Sequence, residues 1–187
     1  SRLMGIPTLI KTLTASGDAS LSFVDGTADV TLDSTYDEYM FVFTDINPAT
    51  NDTYFAFNGS DDTSSHSYDI IKTTTAFSAY HPEDDSTAAI SYSTGQDIAQ
   101  GTGFQRLTGG QGNGADESCA GILHLFSPAN TTYVTHFYAT VSFYGENNQA
   151  NNPHFAGYFN TTAAITAIQF KFESGNFDGV IQLFGIA

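Results

Sequence analysis

The chain has 187 residues, and twenty Asp and Glu against five Lys and Arg leave a net charge of −15. That length buries about 70 % of the unfolded chain's surface without a staple. With 41 % hydrophobic residues, sixteen Phe and ten Tyr but no Trp, a disordered chain is excluded. The single cysteine, Cys119, rules out an intrachain disulfide and any multi-cysteine zinc site. No apolar run reaches the roughly 18 residues of a transmembrane helix. The opening Ser1–Pro7 lacks the apolar stretch of a secretion signal, so none is expected.

The charge comes from missing bases rather than added acids. Charged residues make up only 13 % of the chain, about half the usual share of roughly 25 %. Arg2 and Lys11 precede the first acid, Asp18, while Lys72, Arg106 and Lys171 face all twenty acids in the remainder. A net charge of −15 argues against nucleic-acid or anionic-membrane partners, both of which need a basic footprint.

In chain order the apolar period is two. Strands are expected over 7–14, 19–24, 28–32, 38–46, 53–57, 67–80, 88–93, 118–126, 133–144, 154–159, 165–173 and 179–185. In 38–46, Met40, Val42 and Ile46 fall opposite Tyr39, Phe41 and Phe43. In 133–144, Phe137, Ala139, Val141 and Phe143 oppose His136, Tyr138, Thr140 and Ser142. In 165–173, Ile168, Phe170 and Phe172 oppose Ala167, Gln169 and Lys171. Clusters such as Asn58–Asp62, Pro82–Asp85, Gly109–Gly114 and Ser174–Asn176 read as turns or loops, with 109–114 a mobile one. One short helix fits near Thr94–Ala99. Many short strands without a βαβ rhythm predict an all-β fold, an antiparallel β-sandwich of jelly-roll type with little or no helix. It forms a single domain over 1–187, with residues 1–6 as an N-terminal arm.

No constellation in the sequence carries chemistry. The Gly109–Gly114 stretch lacks the lysine and following helix of a phosphate loop, and no nucleophile elbow is present. His66, His81, His124, His136 and His154 have no metal-pair spacing. Glu83, Asp84 and Asp85 crowd one loop, and Asp25, Asp29 and Asp33 recur every fourth residue. Neither group matches the twelve-residue calcium loop, although a calcium ion near Glu83, Asp84 and Asp85 stays open. No cofactor, metal or catalytic residue is assigned. The sequons at Asn51, Asn58, Asn130 and Asn160 read as unused.

Three stretches taken together carry a resemblance. The first runs from Phe23-Val24-Asp25-Gly26-Thr27 through Leu32-Asp33 to Tyr36–Phe43. The second is Ile46-Asn47-Pro48-Ala49-Thr50 followed by Phe55-Ala56-Phe57-Asn58-Gly59. The third is Gly157-Tyr158-Phe159, Ile165–Phe170 and the terminal Gly175–Ile186. In this order they resemble a family of virion structural proteins of tailed bacteriophages from aquatic hosts. The resemblance implies a β-sandwich on the particle exterior. The first role is a non-enzymatic capsid decoration (cement) protein; the alternative is a tail-fibre or baseplate module that binds a host-surface receptor. The resemblance implies the capsid shell and other copies of itself, as a homotrimer, for its partners. No catalytic residues come with it.

The N-terminal arm is the one interaction site the sequence suggests. Arg2, Leu3, Met4 and Ile6 combine apolar anchors with a cation ahead of an anionic body. One reading makes 7–13 the first strand with Arg2–Ile6 frayed before it; in the other, Arg2–Ile6 reaches out and docks on a neighbouring subunit.

Overall fold

The computed structural model describes residues 5–187. Twelve strands follow in chain order: β1 (Thr8–Asp18), β2 (Leu21–Val24), β3 (Glu38–Pro48), β4 (Phe55–Ser60), β5 (Lys72–Pro82), β6 (Ala89–Tyr92), β7 (Gln105–Arg106), β8 (Cys119–Phe126), β9 (Thr135–Gly145), β10 (Gln149–Phe159), β11 (Ala167–Phe172) and β12 (Phe177–Ile186). They form two antiparallel sheets, an eight-stranded one ordered β1-β12-β3-β8-β9-β10-β5-β6 and a four-stranded one ordered β2-β11-β4-β7. The all-β antiparallel sandwich predicted from the period-two pattern is what the chain forms.

Alternation drives the packing. Phe137, Ala139, Val141 and Phe143 of β9 are buried, as are Ile168, Phe170 and Phe172 of β11. The aromatics meet edge-on between the sheets: the Phe170 ring lies 5.2 Å from both Phe41 and Phe43. Phe57 meets Phe137 at 5.1 Å, joining the small sheet to β9. Strand β3 breaks its own alternation. Tyr39, Phe41, Phe43 and also Ile46 are buried, because a bulge between Phe43 and Ile46, with Asp45 at φ +53°, moves Ile46 onto the inner face.

Several expected elements are corrected. Segment 28–32 is a loop, curled by positive φ at the consecutive Ala28 and Asp29, though Val30 and Leu32 still plug the core. No helix forms at 94–99; Gln96 instead closes a turn onto Ser93. Asn58-Gly59-Ser60 lies inside β4 rather than in a turn. Gly59 is needed there because a Cβ would come within 2.9 Å of the Phe159 ring. The Gly-rich stretch 109–114 is pinned: Gln111 is fully buried, and its backbone bridges to Thr53 and Gly145.

A buried polar layer ties the long connections to the sheets. Asn58 Nδ2 donates to the carbonyls of Tyr68 and Thr102 at 2.6 and 2.9 Å. Thr74 Oγ1 donates to Gln105 Oε1 at 2.6 Å, and Gln105 Nε2 donates to the Gln96 carbonyl at 2.9 Å. Lys72, wholly buried, donates from Nζ to the carbonyls of Ile70 and Gly103 at 2.9 and 2.6 Å. Each bond satisfies a carbonyl that folding takes away from water.

This burial predicts protease behaviour. Arg106 beside the Gly-rich segment reads from sequence as the easiest tryptic site. It is instead held in β7 by a two-pronged pair with Glu173, at 2.7 and 2.9 Å, and its guanidinium sits 4.0 Å over the Tyr54 ring. Native trypsin is expected to spare Lys72, Arg106 and Lys171 under conditions where urea-unfolded chain is cut at all three. Early appearance of a fragment starting at Thr73 would contradict the burial of Lys72.

Candidate binding face and groove

The outer face of the eight-stranded sheet takes the residues that alternate with the core. Cross-strand pairing sets them in rows. His124 of β8 pairs with Tyr138 of β9, which pairs with Ala156 of β10 and then Thr75 of β5. The neighbouring row runs Ile122, Thr140, His154, Phe77 and Tyr92. On the other side His136 pairs with Tyr158, and Tyr158 with Thr73.

The rings pack into each other on this face. Tyr138 stacks on His124 with centroids 4.5 Å apart and on Phe126 at 5.8 Å. Phe77 and His154 stack at 4.9 Å with planes 6° apart, and His136 meets Tyr158 edge-on at 5.9 Å. Glu38 makes a short contact with His124 Nδ1; the other residues of these rows are hydroxyl, imidazole, aromatic and aliphatic groups, with no carboxylate, lysine or arginine among them. Tyr92 at the outer edge donates to Asp97 at 2.8 Å, and that carboxylate holds the phenol above its usual range.

The 127–134 connection leads from β8 into β9. Ser127 takes a positive φ and its N–H donates to the Asp37 carbonyl at 2.8 Å. The Asn130 side chain accepts from the N–H groups of Thr132 and Tyr133 at 2.7 and 3.0 Å, a local turn that Asn favours. The Pro128 carbonyl accepts from Ile165 N–H at 2.8 Å. So fixed, the loop holds Tyr133 72 % exposed. A cavity of about 580 Å³ opens between Asn130, Tyr133, Phe126 and His136. A second, about 380 Å³, lies on the sheet between His136, Tyr138, Tyr158 and Thr73. Both are lined by Phe126 and His136, so they form one groove.

The acids suggested by sequence scatter to separate partners. Glu83 accepts the Tyr144 hydroxyl at 2.8 Å, Asp84 accepts Ser86 N–H at 3.0 Å, and Asp85 pairs with His81 at 2.9 Å. Asp25 and Asp33 cap loop N–H groups of Leu32 and Thr35, each at 2.8 Å, which holds Asp33 below the usual carboxylate range. Among the described residues no group of three or more His, Cys, Asp or Glu is placed to hold a metal. The Asn58 sequon is fully buried and could take no glycan in the folded chain. Cys119 is buried, and desolvation pushes its thiol well above the usual range.

Of the arm, Arg2, Leu3 and Met4 lie outside the described residues, and Ile6 is 87 % exposed. The strand following it is β1, so the stretch expected as the first strand does form one, starting at Thr8 and running on to Asp18. The groove was not read from the sequence as a site. Its only signal was the mixed polar face of 133–144.

No protein-family model matches the chain, and searches of curated proteins and of solved structures return no match.

Proposed function

We propose that the chain is a non-enzymatic structural protein of a virus particle, a decoration protein on the exterior of a tailed-phage capsid. The observation that carries this reading is the strand order. Setting aside β5, β6, β9 and β10, the sheets read β1-β12-β3-β8 and β2-β11-β4-β7. Successive pairs β1/β2, β3/β4, β7/β8 and β11/β12 each divide between the sheets. That interleaving supports reading the sandwich as a jelly roll, a frame used by viral capsid and lectin domains. The resemblance of the three sequence stretches to phage virion proteins supplies the rest, since fold alone does not fix function.

In this reading the seat is the N-terminal end. Ile6 and Leu9 are exposed apolar side chains where β1 forms the open edge of its sheet, and Arg2 and Lys11 flank them. Apolar anchors and a cation suit either the shell or the acidic surface of another copy, for which the resemblance suggests a trimer. Nucleic acid and anionic membrane stay outside the partner set at a net charge of −15. The test deletes residues 1–6. The shortened protein is expected to keep its circular dichroism and melting temperature yet lose co-sedimentation with particles. Undiminished co-sedimentation would overturn the seat.

The second reading, a tail-fibre or baseplate module binding a host-surface receptor, is favoured by the groove beside Phe126 and His136. Immunogold labelling separates the two readings, with gold over heads supporting decoration and gold at tail tips supporting the receptor module.

A further inference from the structure

We infer that the groove between the 127–134 loop and the β9–β10 face is a binding site for a neutral oligosaccharide. The inference does not depend on where the protein sits on a particle.

Charge is the first argument. Neither cavity has an Asp, Glu, Lys or Arg in its lining, in a chain that carries twenty acids. An ionic ligand would find no counter-charge in the groove, and an anionic one would be repelled by the surrounding surface. The occupant is therefore uncharged.

Its other properties follow from the side chains. A sugar ring presents one apolar C–H face and a rim of hydroxyls. Tyr133, 72 % exposed, and Tyr138, 44 % exposed, offer ring surface for the first. For the rim, the hydroxyls of Tyr133, Tyr138 and Tyr158 and both ring nitrogens of His136 make no hydrogen bond to any described residue. They stand at the groove with their donors and acceptors uncommitted, beside the side chains of Thr132 and Thr73. A purely apolar ligand would leave these groups unsatisfied on burial. A peptide strand would need an open sheet edge for main-chain pairing, whereas β8, β9 and β10 are all internal to their sheet.

Pre-organisation completes the argument. The Asn130 turn fixes the backbone of Tyr133. Tyr138 is held by stacking on both His124 and Phe126. The ligand then orders few side chains on binding, and the cost of association falls accordingly. The two adjoining cavities, about 580 and 380 Å³, offer room for a short chain of sugar units rather than a monosaccharide.

The experiment uses the full-length protein with a panel of neutral gluco-, manno-, galacto- and xylo-oligosaccharides. Binding is read by saturation-transfer NMR and by intrinsic tyrosine fluorescence, which is usable because the chain has no Trp. At least one panel member is expected to bind with an affinity that does not change with salt. Tyr133→Ala and Tyr158→Ala, each matching the parent's melting curve, should weaken it about tenfold or more, the loss expected for truncating one aromatic anchor. A charged control, oligogalacturonate, should not bind. Binding of no panel member, or binding that survives in both variants, overturns the proposal. So does a self-association of the parent that Tyr133→Ala abolishes in sedimentation equilibrium, since the face would then be covered by a second copy.

Discussion

Phe170→Ala should cost about 3–5 kcal/mol of folding stability, the range for truncating a fully buried phenylalanine. Phe170 sits in β11, an interior strand of the small sheet. Its ring lies 5.2 Å from Phe41 and from Phe43, 5.9 Å from Phe55, and 6.2 Å from Phe23 and from Phe57. Five rings from three strands, β2, β3 and β4, therefore lose a partner together. The side chain is completely buried, so the void stays dry, and β3 and β4, each paired on both sides, resist collapse into it. A domain of this size has about 5–15 kcal/mol in total, so the variant should melt on the order of 10 °C lower. Phe77→Ala serves as control, because Phe77 is 43 % exposed on the outer face and should cost less than about 1 kcal/mol. A Phe170→Ala variant as stable as the Phe77→Ala one would mean that the sheets do not close on this cluster.

Stability should rise with pH from neutrality to about pH 9, and Lys72 is the reason. Burial, only partly offset by the Asp69 carboxylate, pulls the ammonium down from its ordinary value of 10.5 to about 8. Between those values the unfolded chain binds more protons than the folded one, so raising the pH favours folding. The gain between pH 7 and 9 is roughly 1 kcal/mol, and about 3 kcal/mol over the full interval. Two groups oppose it at higher pH. The Cys119 thiol, ordinarily at 9.0, is raised by burial. The Tyr39 phenol, ordinarily at 10.0, is raised by burial and by Asp33. Each keeps its proton in the folded state after the unfolded state has lost it, so each lowers stability above its ordinary value. The profile should climb to about pH 9, flatten to about pH 10 and then fall. Urea midpoints measured for the parent and for Lys72→Met check this: the variant should lack the climb while still falling above pH 9. A climb of equal size in Lys72→Met would assign it to another group.

The sequence made the sandwich legible where alternation is clean. Strand β9 shows each inward Phe, Ala and Val in turn, and β11 does the same with Ile168, Phe170 and Phe172. It misled where a local rule competed with tertiary packing. Asn58-Gly59 has turn chemistry, yet the asparagine is used to bind two loop carbonyls and the glycine to admit the Phe159 ring. The start of β10, Gln149-Ala150-Asn151-Asn152-Pro153, reads as a loop. It is held as strand by β5 along its whole length, while the ladder to β9 skips Asn152 and Pro153, where proline has no N–H to give. The groove was illegible for a different reason. Phe126, His136 and Tyr158 come from three strands, and only the register of β8, β9 and β10 sets them side by side. No local spacing encodes that register.

The claim of a decoration protein rests most directly on copy number. Absolute quantification of this chain against the major shell protein, by isotope-labelled peptides in particles purified from the culture that carries its gene, measures it. Shell symmetry requires a decoration protein to be present on the order of hundreds of copies per particle. That is the result the account predicts. A count of about three to eighteen, as threefold or sixfold tail symmetry allows, or absence of the chain from the particles, would contradict it.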